Sequence, residues 1–198
     1  MKQDHWAFEK KAAADGYQYV AGIDEAGRGP LAGPVVSAAV ILPKSFVVGE
    51  VKDSKKLTPK KRDALYERIH NDAVSIGVGI VDPHEIDRIN ILRASLLSMA
   101  IAAGHLNPGA DILLIDGTFP IPSDIPQKTI VKGDSLSVSI AAASIVAKVT
   151  RDRMMMRYSL DYPGFGFERH KGYPTKAHRE AIKKYGACPI HRLSFKLI

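Results

Sequence analysis

Apolar and polar positions along the chain fall into two periods, and the breaks between them divide it into strands and helices. Residues 17–24 are apolar and aromatic and read as a first strand; 34–42, 74–81, 111–115 and the short run 128–132 read as four more. Helical patterns cover 4–14, 59–73, 91–106, 138–156 and 176–185. Thr58 and Thr175 are good caps for two of these helices, Pro59 is a good first helical residue, and Leu65 and Ile69 share one face. Residues 83–90 read as a turn or short helix, 45–53 as a loop and 121–127 as a proline-rich loop. Small residues at Ser37, Ala38 and Ala39, at Gly77 and Gly79, and along 141–144 predict helices docked closely on a sheet. Met99 reads as core, and Met154, Met155 and Met156 as flexible core filler. Strands alternating with helices predict an α/β fold.

Composition narrows this picture. A chain of 198 residues with 45% hydrophobic and 25% charged positions is that of an ordinary globular protein of one main domain. No run of 18 apolar residues is present, so no membrane helix is predicted and no membrane partner is expected. The amino terminus lacks the apolar core of a signal peptide, and Cys188 is the single cysteine, so a reducing cytoplasmic setting and an inert thiol are expected. The net charge of +7 is unevenly placed: from Lys148 onward 12 Lys and Arg face only four acids, while the rest of the chain is nearly neutral. That asymmetry favours a polyanionic partner, nucleic acid first.

The candidate chemistry lies at strand ends. The first strand runs into Asp24 and Glu25, then into a glycine-rich turn, Gly27-Arg28-Gly29-Pro30, before the second strand. The fourth strand ends at Asp116-Gly117, and the fifth runs into Gly133-Asp134-Ser135. Neighbouring strand ends of an open α/β sheet share one crevice. If these strands are neighbours, four carboxylates meet there, and their repulsion calls for cations. All-oxygen ligands select hard ions, Mg²⁺ or Mn²⁺, and two such ions can clamp an in-line attack on phosphorus. Consecutive strand residues face opposite sides, so Asp24 and Glu25 are expected to share a site only if the strand ends between them. The glycines allow backbone groups to come close to a sugar, and the 2′-hydroxyl is the group that separates RNA from DNA. Ser54, Lys55 and Lys56 before the Thr58 cap are candidates for phosphate contact, with plain helix capping an equal reading.

DEAGRGP, DSKKLTP, LIDG, KGDS, AAASIVAKVTRD and HKGYPT, in this order and spacing, resemble the bacterial ribonuclease HII family over about residues 20–195. The resemblance implies an RNase H-like fold: a mixed five-stranded sheet flanked by helices, with a small helical carboxy-terminal segment. A catalytic domain over 1–165 and a basic segment over 166–198 are expected. By the same resemblance Asp24, Glu25, Asp116 and Asp134 are the catalytic and metal-binding acids, for two Mn²⁺ or Mg²⁺ ions. Gly27, Arg28 and Gly29 would contact the ribonucleotide 2′-hydroxyl, and Tyr173 would stack on the deoxyribose after the RNA–DNA junction. Lys55, Lys132, Lys148 and Arg192 are further phosphate-contact candidates, and Ser135 and Ser144 are candidates for orienting ligands.

The expected activity is endonucleolytic: hydrolysis of the RNA strand of RNA–DNA hybrids and incision 5′ of ribonucleotides in duplex DNA, leaving 3′-OH and 5′-phosphate ends. The competing readings are a non-catalytic hybrid-binding module and a branched-DNA nuclease on the same fold. A monomer is expected. No Gln-x-x-hydrophobic-x-x-aromatic-aromatic tail follows Phe195, which puts sliding-clamp recruitment in doubt.

Overall fold

The structure is a computed structural model that describes residues 4–49, 51 and 57–198. Lys55 and its neighbours Ser54 and Lys56 lie outside the described residues. The elements run α1 (Ala7–Ala14), β1 (Val20–Ala26), β2 (Val35–Ile41), α2 (Pro59–Asp72), β3 (Ser75–Val81), α3 (Pro83–Ile89), α4 (Ile91–Gly104), β4 (Ile112–Asp116), β5 (Gln127–Ile130), a 3₁₀ turn (Gly133–Ser135), α5 (Val138–Asp161), α6 (Phe167–His170) and α7 (Lys176–Tyr185).

The strands form one mixed sheet in the order β3-β2-β1-β4-β5. β1, β2 and β3 make an antiparallel meander, and β4 and β5 add in parallel beside β1. Both faces are covered. Ala38 and Val40 of β2 pack with α2 and α5, while Ala39 and Ile41 pack with α4. This two-sided burial explains why β2 reads as a continuous apolar run rather than an alternation. The small residues do what their size predicts: a Cβ on Gly22 would sit 2.1 Å from the Ser139 backbone, so α5 meets β1 with nothing between them. α1 fixes the start of α5, because Glu9 Oε1 accepts from the Ser139 amide at 3.1 Å and from the Ser137 and Ser139 hydroxyls at 2.5 and 2.6 Å.

Three boundaries differ from the sequence expectation, and the open reading of 83–90 as a turn or short helix is resolved. β1 starts at Val20 rather than 17. Residues 83–90 are a helix, α3, capped by Asp82, whose carboxylate accepts from the Glu85 amide. β5 ends at Ile130, because Lys132 takes a left-handed backbone (φ +58°) and turns the chain into the 3₁₀ turn. Asp134 therefore sits on that turn and not at a strand tip. α5 runs on to Asp161, and its methionines divide: Met155 is fully buried, whereas Met156 is 48% exposed and fills no core.

Candidate active site

β1 stays paired to β2 through Ala26, but its pairing to β4 ends at Ile23 opposite Ile115. Asp24 and Glu25 thus lie past the last β1–β4 pair, where the sheet opens, and Asp116 ends β4 next to that opening. The strand does not end between Asp24 and Glu25 as expected. Asp24 pairs with Ala38 on the α5 face and Glu25 with Ser37 on the α4 face, yet the two carboxyls act on each other and on Asp116 across the strand end.

Charge accumulates here. Asp24 is buried, and desolvation together with Glu25 and Asp116 pushes its carboxyl well above the usual range, against hydrogen bonds from Ser144 and the Glu25 amide. Glu25 is raised as well, first by burial and then by Asp116; Arg28, 3.4 Å away, pulls the other way. Asp116 Oδ1 accepts from the Gly133 amide at 2.6 Å, which brings the turn bearing Asp134 beside the end of β4. Asp134 is buried and accepts from the Ser135 hydroxyl at 3.3 Å. Among the described residues no three acids or histidines stand closed on one point as a ready-made metal cage. The donor chemistry nevertheless fits a hard divalent cation: only carboxylate and hydroxyl oxygens, on the ends of β1 and β4 and the turn beside them, with Asp24 and Asp134 buried and Glu25 and Asp116 half-buried.

A crevice of about 390 Å³ reaches this acid group at Glu25 and is lined also by Gly27, Arg28, Gly29, Ser144, Lys148 and Tyr173. Tyr173 is 41% exposed and its ring lies over Gly29, where a Cβ would be 3.9 Å from the Tyr173 Cε1. Lys148 Nζ stands 5.8 Å from that ring and pairs with Asp152 at 2.6 Å. A second groove of about 490 Å³ shares Arg62, Lys148 and Tyr173 and continues past Arg153, Arg169 and Lys171. A third cavity of about 480 Å³, under α1 and lined by Trp6, Glu9 and Leu42, holds none of the candidate site residues. Lys132 is exposed beside the Gly133–Ser135 turn.

Arg192 corrects the sequence reading. It is fully buried, not a surface phosphate ligand, and its guanidinium donates to the carbonyls of Gly27 (2.6 Å), Arg28 (3.0 Å) and Gly33 (2.8 and 3.0 Å). Arg151 of α5 is its unforeseen twin, fully buried and donating to Ala32, Pro34 and Lys171 carbonyls at 2.9–3.0 Å. A spacing of four from Ala147 and Met155, both fully buried, is the sequence signal that puts Arg151 on the inner face of α5. Burial draws both guanidiniums down, Arg151 to about 10 and Arg192 to about 9.

Histidines complete this support. The Cys188 amide donates to His191 Nδ1 (2.9 Å), leaving the His191 proton on Nε2 to meet His178 Nε2 (3.1 Å). His178 is then protonated on Nδ1, which donates to the Tyr173 carbonyl (2.9 Å). This chain of bonds assigns both rings neutral, and burial lowers His178 to about 4.

A family model described as Ribonuclease HII matches residues 21–198. A protein named Ribonuclease HII from Syntrophus aciditrophicus is 57% identical over 98% of this chain and 91% of its own length. Among solved structures, the ribonuclease H2 of Pyrococcus horikoshii superposes with a TM-score of 0.76 at 30% identity, covering 91% of this chain and 95% of that one. The ribonuclease HII of Archaeoglobus fulgidus, solved as a complex with PCNA, gives 0.75 at 28% identity over 91% and 96%. Identity of this order over nearly the whole length, on the same mixed sheet, shows that the chain belongs to the ribonuclease HII family and is an endonuclease of the ribonuclease H type.

Proposed function

We propose that this enzyme hydrolyses the RNA strand of RNA–DNA hybrids and incises duplex DNA on the 5′ side of embedded ribonucleotides. The observation that carries the reading is the accumulation of Asp24, Glu25 and Asp116 at the open end of the sheet, beside a crevice walled by Gly27–Gly29 and Tyr173. A surface that only bound nucleic acid would gain nothing from acids facing phosphates.

The family is divalent-metal dependent, and Asp24, Glu25, Asp116 and Asp134 would hold two such ions. When bound, the ions would supply Lewis-acid stabilisation of the attacking and leaving oxygens of an in-line displacement. The chain's own groups do the rest. Ser144 keeps Asp24 oriented by hydrogen bonding. Arg28 balances part of the charge on Glu25. The Gly27–Gly29 backbone meets the ribose, and the Tyr173 ring above Gly29 stacks on the next sugar. Water adds to phosphorus as the bond to the 3′ oxygen breaks, which leaves 3′-OH and 5′-phosphate ends. Lys148, with Arg62, Arg153, Arg169 and Lys171 along the second groove, offers the cations a duplex backbone needs.

The test is incubation with a duplex holding one ribonucleotide, in Mg²⁺ or Mn²⁺. A single cut on the 5′ side of the ribonucleotide is expected. No cut, or equal cutting of the all-DNA duplex, contradicts the proposal. Replacing Tyr173 by Ala should weaken the choice of junction more than the binding of duplex; an unchanged choice removes Tyr173 from the reading.

A further inference from the structure

Loop 27–34 carries no regular structure, yet its carbonyls are almost all bound from beneath. Arg192 takes those of Gly27, Arg28 and Gly33, and Arg151 takes those of Ala32 and Pro34. Backbone bonds sew the loop to the carboxy-terminal segment: the Leu31 amide donates to Gly172, the Arg192 amide to Leu31 and the Gly33 amide to Ile190, each at 2.8 Å. No acid pairs with either guanidinium within salt-bridge distance among the described residues. The two arginines are there for carbonyls.

Peptide geometry turns this into a statement about the crevice. In a planar trans peptide the C=O and the following N–H point in opposite directions. The only cis bond among the described residues is Asn107–Pro108. Drawing the Gly27 and Arg28 carbonyls down onto a buried guanidinium therefore sends the Arg28 and Gly29 N–H groups outward. Neither amide donates to any protein group among the described residues, and both residues are exposed on the crevice wall. Two parallel N–H donors on a solvent-facing turn suit a single oxygen acceptor.

We infer that Arg192 is a positioning residue for ribose recognition: by holding the Gly27 and Arg28 carbonyls inward it presents the Arg28 and Gly29 amides to a 2′-hydroxyl oxygen in the crevice. The inference rests on the hybrid-cleaving reading above. A fork is needed for this task. One planar guanidinium reaches three carbonyls at once, whereas a lysine ammonium is a single point that holds one or two. Deoxyribose lacks the acceptor, so the two amides contribute only when a ribonucleotide is present.

The test is binding, read by fluorescence anisotropy with Ca²⁺ replacing Mg²⁺, of one duplex with a single ribonucleotide and the same duplex all in DNA. The wild type should prefer the first. If it does not, the ribose-directed reading of the site falls and this inference with it. Arg192→Lys should lose about tenfold of that preference, two ordinary hydrogen bonds' worth, while all-DNA affinity stays level. Full retention of the preference, or an equal loss for both duplexes, overturns the role of Arg192 and leaves the hybrid-cleaving reading intact. Should the variant fail to fold, the wild type still decides. Its Arg28 and Gly29 amide resonances should shift with the ribonucleotide duplex and not with the all-DNA one; equal shifts, or none, overturn the inference.

Discussion

The acids at the open end of the sheet and the arginines under the neighbouring loop present the same problem, buried charge, solved in opposite ways. Among the described residues Arg151 and Arg192 have no carboxylate within salt-bridge distance, but backbone carbonyls take up their donors in forks. Among the described residues, Asp24 and Glu25 have a serine, one amide and one partly exposed arginine, and lie beside a third acid. The first region is complete within the protein and holds a shape. The second concentrates acidic groups that raise one another, the arrangement the proposed divalent cation would relieve.

The contrast can be broken experimentally, the largest effect first. Asp116→Asn should lower incision by about three orders of magnitude, several kcal/mol of transition-state stabilisation. Its metal-free thermal midpoint should rise rather than fall, because one repelling charge is gone. A midpoint that drops would make Asp116 a structural acid. Arg151→Met should do the reverse: it strands three buried carbonyls, and urea unfolding should show a loss of about 3 kcal/mol. Little change there would mean that water reaches the loop's underside. Gly172→Ala should cost about 2 kcal/mol in the same assay, because Gly172 sits at φ +84° and its Cβ would meet the Ala32 carbonyl oxygen at 2.4 Å.

The two regions should also titrate with opposite signs. His178 has a folded pKa of about 4, below its ordinary 6.5. Its contribution to stability is therefore whole above pH 6.5 and lost as pH falls toward 4. Asp24 is raised instead, so the metal-free acid pocket is relieved of strain as pH falls through its folded pKa. Urea unfolding of wild type and His178→Gln between pH 7 and 4 should show the variant losing less stability on acidification; parallel curves would contradict the neutral tautomer chain. Smallest of all, Arg153→Ala removes exposed pairs with Asp63 and Glu67 and should change stability by less than about 0.5 kcal/mol.

The sheet was legible because β1, β2 and β4 are buried on both faces and so leave unbroken apolar runs, and because acids directly after such runs stand out. The fifth strand was shifted because Lys132 turns the chain with a left-handed backbone, a conformation that lysine does not advertise. The arginine clamp was hidden for a different reason. An arginine near a carboxy terminus reads as a surface cation, and Arg192 becomes core only through contact with carbonyls 159–165 residues earlier. No local pattern encodes that contact. Arg151 could have been found from its spacing to Ala147 and Met155, but not what it holds.

The most direct test of the central claim, that the acid pocket is completed by a divalent cation, is the thermal midpoint of wild type and Asp24→Asn as Mn²⁺ is raised. The wild type should start lower and climb with Mn²⁺, as expected when an ion binds only the folded state; Asp24→Asn should start higher and stay level. Equal climbs in both proteins, or none in the wild type, would contradict the account.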